Sequence, residues 1–138
     1  MTLYANTDGA SRGNPGESGI GVICRDGEGN VMFSGGGYIG TATNNVAEYE
    51  ALLACLRKVQ GLPCTKLVLS SDSELVVRQI RGQYRVKDKN LQRYFQEARR
   101  LLASARYTFE IIHVEREKNR EADLLANAGI DSKQALAL

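Results

Sequence analysis

Residues 66–80 read KLVLSSDSELVVRQI. Lys66 to Ser71 is a short apolar run, and from Ser73 a capping hydroxyl is followed by apolar residues at helical spacing, with Gly82 just past the end. A strand therefore passes directly into a helix, as in folds where helices cross between parallel strands. Few polar residues interrupt the strand, which predicts that both its faces are covered. Asp72 stands at the junction. In α/β sheets the ends of parallel strands, next to helix starts, are where ligands bind.

Downstream, Asn90 is expected to cap a longer, uninterrupted helix to Ala105, with Leu91, Tyr94, Phe95, Ala98, Leu101 and Leu102 on one face. Tyr107 to Val114 (YTFEIIHV) reads as another strand, and Asn119 to Ala128 as the last helix. Upstream, Asn44 or Asn45 can cap a helix that runs to Gln60 and stops at Gly61. Before it come three strand patterns, Leu3–Thr7, Gly19–Arg25 and Val31–Ile39. The turn-rich DGASRGNPGESG and the hairpin loop Asp26–Asn30 join them as an antiparallel meander. Three glycines at 35–37 predict a bulge or a close backbone approach. The fold class is α/β: a mixed sheet of five strands, three antiparallel then two parallel, carrying packed helices. The domain is expected over 1–130, with 131–138 (DSKQALAL) as a tail that frays.

At 138 residues and 43% hydrophobic content, one domain with a real core is the expectation. No apolar run reaches the roughly 20 residues of a membrane span, and no signal stretch opens the chain, so no membrane partner and a cytoplasmic location are expected. Cys24, Cys55 and Cys64 lack a paired spacing and read as small buried apolar residues rather than a disulfide framework or a zinc site. Nine of the eighteen Lys and Arg lie between Arg78 and Arg106, against only Asp88 and Glu97. Such a cluster suits the phosphates of a nucleic acid, or a solvated helix face.

Asp8 repeats the setting of Asp72, at the end of the first strand before a glycine-rich stretch. Glu48 lies on the stripe Glu48, Leu52, Cys55, Val59, whose other members are apolar, so it faces inward. One such carboxylate is ordinarily a helix cap or half of an ion pair. Three in register repel, and no Lys or Arg adjoins Asp8 or Asp72 to compensate. A hard divalent cation with oxygen ligands is the natural counter-charge, and magnesium suits a site of few carboxylates plus substrate phosphate.

TDGASRGNPG (Thr7–Gly16), TNNVAEYEAL (Thr43–Leu52), SDSELVVRQI (Ser71–Ile80) and HVEREKNREADLLAN (His113–Asn127) resemble, in order and spacing, the motifs of ribonuclease HI. The resemblance implies a ribonuclease H-like sheet with helices on both faces. It also implies an endonuclease that cuts the RNA strand of an RNA·DNA hybrid and leaves 5′-phosphate and 3′-hydroxyl ends. The implied metal ligands are Asp8, Glu48, Asp72 and Asp123, holding two Mg2+ ions, with Mn2+ as an alternative. Asp8 would bridge the ions, Asp72 would bind the nucleophile side, Glu48 would bind the other ion and a 2′-hydroxyl, and Asp123 would support. Periodicity alone makes Asp123 a surface residue in the first turn of a helix.

By the same resemblance, Ser11, Asn14, Asn44 and Asn45 would read the minor groove, where the 2′-hydroxyl separates RNA from DNA. Thr43 and Asn119 would lie near backbone phosphates. Asn14 in an N-P-G turn and Asn44 as a helix cap also have structural roles open to them. Glu74 stands where many relatives have a groove-contacting Gln, and equally suits the first turn of a helix. The loop before Asp123 lacks the histidine of the bacterial relatives, leaving Arg116 or Glu117 in its place. The one histidine, His113, is expected at a strand end packed near the core. The basic handle of some relatives is absent, and Lys87 with neighbouring bases is expected to grip the DNA strand. A monomer without an obligate protein partner is expected. Alternatives of other classes are a hybrid-binding module without hydrolysis and activity extended to double-stranded RNA. A 3′ to 5′ exonuclease would carry Asp-x-Glu on the first strand, where this chain has Asp8-Gly9-Ala10.

Overall fold

In the computed structural model, which describes residues 1–138, the strand entering the Asp72 junction is the fourth of five. In chain order the elements are β1 (Thr2–Gly13), β2 (Gly16–Arg25), β3 (Val31–Ala42), α1 (Asn44–Val59), β4 (Lys66–Ser71), α2 (Glu74–Ile80), α3 (Lys89–Ala103), β5 (Thr108–His113), a 3-10 turn (Arg116–Lys118) and α4 (Arg120–Ser132). They form one sheet in the order β3-β2-β1-β4-β5. β1, β2 and β3 are antiparallel neighbours, while β4 runs parallel to both β1 and β5. Helices α1, α2 and α3 pack on one face and α4 on the other. No helix is long and apolar enough to cross a membrane.

The core lies between the α1 face and the sheet. Leu3 and Ala5 of β1, Val22 and Cys24 of β2 and Leu67 and Leu69 of β4 meet Tyr49, Leu52, Cys55, Leu56 and Val59 of α1. The three cysteines are free and buried. β4 is covered on this face only: Leu67, Leu69 and Ser71 are buried, but Val68 and Ser70 are half-exposed because α4 reaches no further than β1. The expectation of a strand covered on both faces is therefore corrected.

The polar segment DGASRG is strand, not turn. β1 pairs with β2 without interruption from Tyr4↔Arg25 to Gly13↔Gly16, and the chain reverses only at Asn14–Pro15. This half of β1 is polar because it extends beyond the core and walls a cleft. Helix caps also differ from expectation. Thr43 caps α1, its hydroxyl accepting from the Val46 N–H at 3.2 Å, so Asn44 and Asn45 lie inside the first turn. Asp88 rather than Asn90 caps α3, its carboxylate accepting from the N–H groups of Asn90 and Leu91. Ser73 caps α2 as expected.

The glycine run of β3 is a close approach, not a bulge. A Cβ on Gly36 would lie 1.9 Å from the Leu125 carbonyl oxygen of α4. The register shifts fall elsewhere, opposite Ser18/Gly19 and Cys24/Arg25. α4 continues past residue 130 to Ser132, and the residues after it are docked rather than frayed. The Gln134 carbonyl accepts from the Tyr38 N–H at 2.7 Å, and Leu136 packs half-buried against the core beside the glycines. His113 is exposed at the end of β5, not packed near the core; it shares a strand face with the buried Ile111 but is the last residue of the strand, beyond the packed part of that face.

Candidate active site

Parallel pairing between β1 and β4 ends at Thr7↔Ser71, so the next residues, Asp8 and Asp72, emerge side by side from adjacent strand ends. α1 brings Glu48 against them from one face. Its approach depends on Gly9: a Cβ there would lie 2.3 Å from the backbone of Ala47 and Glu48. The Gly9 N–H instead donates to Glu48 Oε1. One carboxylate oxygen from each of Asp8, Glu48 and Asp72 lies within 4.8 Å of the others. From the opposite face, the first turn of α4 sets Asp123 into the same cleft.

The cleft has a volume of about 480 Å³ and is walled by polar residues, with Ala10 its one apolar lining residue. Asp8 and Glu48 are 5% and 9% exposed, too dry for free carboxylates, whose charge is costly away from water. Burial pushes the Asp8 carboxyl up to about 10, and the charges of Glu48 and Asp72 add to the effect. Glu48 rises to about 7, again chiefly by burial, with the Gly9 N–H pulling it back. Asp72 is also raised by burial, opposed by its hydrogen bond with Asp8 and by the charge of Arg116. Acids held in this way are starved of positive charge. Clustered hard oxygen donors fit a divalent cation: Asp8, Glu48 and Asp72 could hold it together, and Asp123 lines the same cleft.

The other expected residues divide by position. Ser11, Asn44 and Asn45 line the cleft. The Ser11 hydroxyl is tied to the Ala42 carbonyl and the Ser18 hydroxyl, each at 3.0 Å, while both asparagines are exposed. Asn14 lies outside it and accepts from the Asn44 N–H at 3.1 Å, which fixes the turn against the start of α1. Thr43 opens on a neighbouring depression shared with Thr41, Asn90 and Arg93. Glu74 is exposed outside the cleft and pairs with Arg78 at 3.1 Å. Lys87 is exposed on the segment before α3.

Asn119 is corrected from a phosphate contact to an internal strut. It is 1% exposed, its amide donates to the Thr7 carbonyl at 2.9 Å, and its oxygen accepts from Asn6 at 2.9 Å. Arg116 does enter the cleft. Three polar side chains of the lining were not expected: Arg12, Ser73 and Asn127. Arg12 shares a strand face with Asp8 at period two and becomes visible once β1 is extended to Gly13. Asn127 follows Asp123 by four residues, one helical turn.

Comparison with known proteins bears on this geometry. A family model described as reverse transcriptase-like matches residues 6–129. The chain is 41% identical to ribonuclease HI of Halobacterium salinarum over 129 residues, which take in 94% of this chain and 64% of that protein. The solved RNase H1 of the same organism matches with a TM-score of 0.90 at 40% identity, over 96% of this chain and 99% of that one. A bifunctional protein of Mycobacterium tuberculosis is 38% identical over 134 residues, 96% of this chain and 36% of its own length. The chain thus spans less than two thirds of these curated relatives. LC11-RNase H1, solved in complex with an RNA/DNA hybrid, matches with a TM-score of 0.89 at 40% identity, over 94% of this chain and 97% of that one.

Proposed function

Since the chain belongs to the ribonuclease H family, we propose that it is an endonuclease that hydrolyses the RNA strand of RNA·DNA hybrids by a two-metal displacement, leaving 5′-phosphate and 3′-hydroxyl ends. The observation that carries this reading is the meeting of Asp8, Glu48, Asp72 and Asp123 in one polar cleft at the ends of parallel strands. The solved complex of LC11-RNase H1 with a hybrid supports the substrate class.

Two magnesium ions, when bound, supply a nucleophilic water at neutral pH and neutralise the charge that builds on the departing 3′ oxygen. The chain's own part is positional. Asp8, Glu48 and Asp72 would hold the ions with Asp8 shared between them, and the raised Asp8 carboxyl would have to give up its proton to do so. Asp72 would hold the ion on the nucleophile side and Glu48 the other, where it would also meet a 2′-hydroxyl of the substrate. Ser11, Asn44 and Asn45 offer neutral donors and acceptors on the wall, which suits reading a minor groove without reading sequence. Arg116, whose charge already opposes the rise of Asp72, is the cleft cation that would meet a substrate phosphate. Outside the cleft, Lys87 and Lys89 would hold the DNA strand. Reversing both charges lowers affinity and flattens its salt dependence, and equal slopes in wild type and variant would remove that role. The cleft is complete within one chain, in keeping with a monomer.

The deciding experiment compares the wild type with Asp72→Asn on a hybrid labelled in either strand, with magnesium or with chelator. Internal cuts confined to RNA, lost with chelator and in the variant, are expected. Release of terminal nucleotides would make it an exonuclease, and an intact hybrid in magnesium and manganese alike would leave only a binding module.

A further inference from the structure

Asp123 is the one acid of the cleft that neither a strand end nor α1 sets in place; it stands on α4, and two asparagines bracket it. Asn119 fixes its backbone, since the Asn119 carbonyl accepts from the Asp123 N–H at 3.1 Å while its buried amide is tied to Thr7, the residue before Asp8. Asn127 fixes its side chain. Asn127 Nδ2 donates to the Asp123 carbonyl at 3.1 Å and to Asp123 Oδ1 at 3.3 Å.

What orients the Asn127 amide is Arg12, at the far end of β1. Arg12 Nη2 donates to Asn127 Oδ1 at 3.4 Å and to its carbonyl at 3.5 Å, while Nη1 is anchored on Asp131 at 2.7 Å. A guanidinium has donors only, so the amide must turn its oxygen to Arg12 and its NH2 to Asp123. The same strand that carries Asp8 thus reaches across to hold the acid opposite it.

We infer that Arg12 and Asn127 are positioning residues for divalent-cation binding: by tying Asp123 Oδ1 they fix how its carboxylate is presented to the cleft. This rests on reading the cleft as a cation site. Groups that orient a metal's carboxylate ligands typically carry tenfold or more in affinity. Arg12 is an unsuitable substrate anchor in this arrangement, because its charge is already matched by Asp131. The Arg12–Asp131 pair is exposed and adds little to stability, so the network is better explained by what it orients than by what it stabilises.

The test titrates magnesium into wild type, Asn127→Ala and Arg12→Ala, reading hydrolysis of the hybrid, and manganese into the substrate-free proteins, reading heat. Asn127→Ala is expected to raise the magnesium needed for half-maximal rate by roughly tenfold and to weaken manganese binding in parallel. KM for the hybrid at saturating metal and the melting temperature in chelator should stay near wild type. Arg12→Ala should follow in the same direction with a smaller shift, and Asn127→Gln, which keeps the amide, should recover part of the loss. Unchanged metal dependence in both alanine variants overturns the inference, as does a rise in KM without a metal shift, which would place both side chains on the substrate. If the wild type binds manganese but cuts no hybrid, the proposed function fails while the calorimetric comparison still decides this one. Should Asn127→Ala fail to fold, Arg12→Ala, on an exposed ion pair, carries the same comparison.

Discussion

α1 and α4 deliver one acid each to the strand ends from opposite faces of the sheet, and they rest on it by opposite means. α1 stacks large side chains: Tyr49, Leu52, Leu56 and Val59 are fully buried against Leu3, Val22, Leu67 and Leu69. α4 turns Ala122, Ala126 and Gly129 to the glycines of β2 and β3, so that backbone lies on backbone. One face holds by apolar area removed from water, the other by closeness. The difference follows from what each helix has to place. Glu48 reaches the cleft because α1 crowds β1 at the single point of Gly9, whereas Asp123, a shorter side chain, needs all of α4 to lie low.

Opposite mutations should therefore break the two faces. Leu52→Ala leaves a cavity under α1 and should cost about 2–5 kcal/mol. Gly36→Ala adds one methyl 1.9 Å from a backbone oxygen that no rotamer change can move. The cost should be at least the ~1–3 kcal/mol of an overpacked core. Denaturant unfolding measures both. The sharper readout is activity of the protein that remains folded. Lifting α4 withdraws Asp123, so Gly36→Ala should need more magnesium for half-maximal rate, while Leu52→Ala should not. Equal metal requirements would mean that the height of α4 does not set the fourth acid.

The same contrast explains what is legible in the sequence. The α1 face announces itself, because stripes such as Leu52, Cys55, Val59 and runs such as KLVLSS carry periodicity. Five strands, four helices and three of the acids can be read from it. The α4 face leaves mainly glycines and alanines beside Ile130, and their spacing signals a close approach without naming the partner. Asp123 consequently takes its role from resemblance rather than from pattern, and Arg12 and Asn127 give no signal of their own. DGASRG reads as turn because a strand that walls a polar cleft lacks apolar alternation. The capping differences at Asn44 and Asn90 are of another kind: Thr43 and Asp88 stand next to equally good caps, and local propensity does not choose between neighbours.

A smaller effect sharpens the comparison at the cleft. Asp8 is raised from 3.8 to about 10 and Glu48 from 4.5 to about 7. A folded state that holds these protons more tightly than the unfolded chain has that contribution in full below about pH 4, and loses it as pH rises through about 7 for Glu48 and on toward about 10 for Asp8. The metal-free protein should accordingly melt at a lower temperature at pH 8.5 than at pH 5.5. Asp8→Asn should flatten that slope and raise the melting temperature at pH 8.5 by roughly 3–5 °C, the equivalent of about 1 kcal/mol in a domain of this size. Magnesium should do the same for the wild type through binding to the folded state alone. A drop in melting temperature for Asp8→Asn in chelator would mean that Asp8 has a stabilising partner in the fold, and that this partner outweighs the repulsion among the acids.

The smallest effect concerns the last residues, which pass from α4 to the α1 side of β3. A Cβ on Gly37 would lie 2.3 Å from the Leu136 N, so the tail fills space that Gly35 and Gly37 leave open on the α1 side of β3, opposite the face on which Gly36 meets α4. Tyr38 and Gln134 join β3 to the tail by one backbone bond, and Lys58 of α1 reaches the Leu138 carbonyl at 3.4 Å. Leu136 is half-buried, so Leu136→Ala should cost about 1 kcal/mol, below the value for a fully buried leucine. Unlike Gly36→Ala it leaves α4 where it is, and the magnesium requirement should not change. That pairing separates the two sides of the β3 glycines: if loss of Leu136 also shifts metal dependence, packing of the tail on the α1 side sets the height of α4, and the backbone contacts at Gly36 are a consequence of its position rather than the cause.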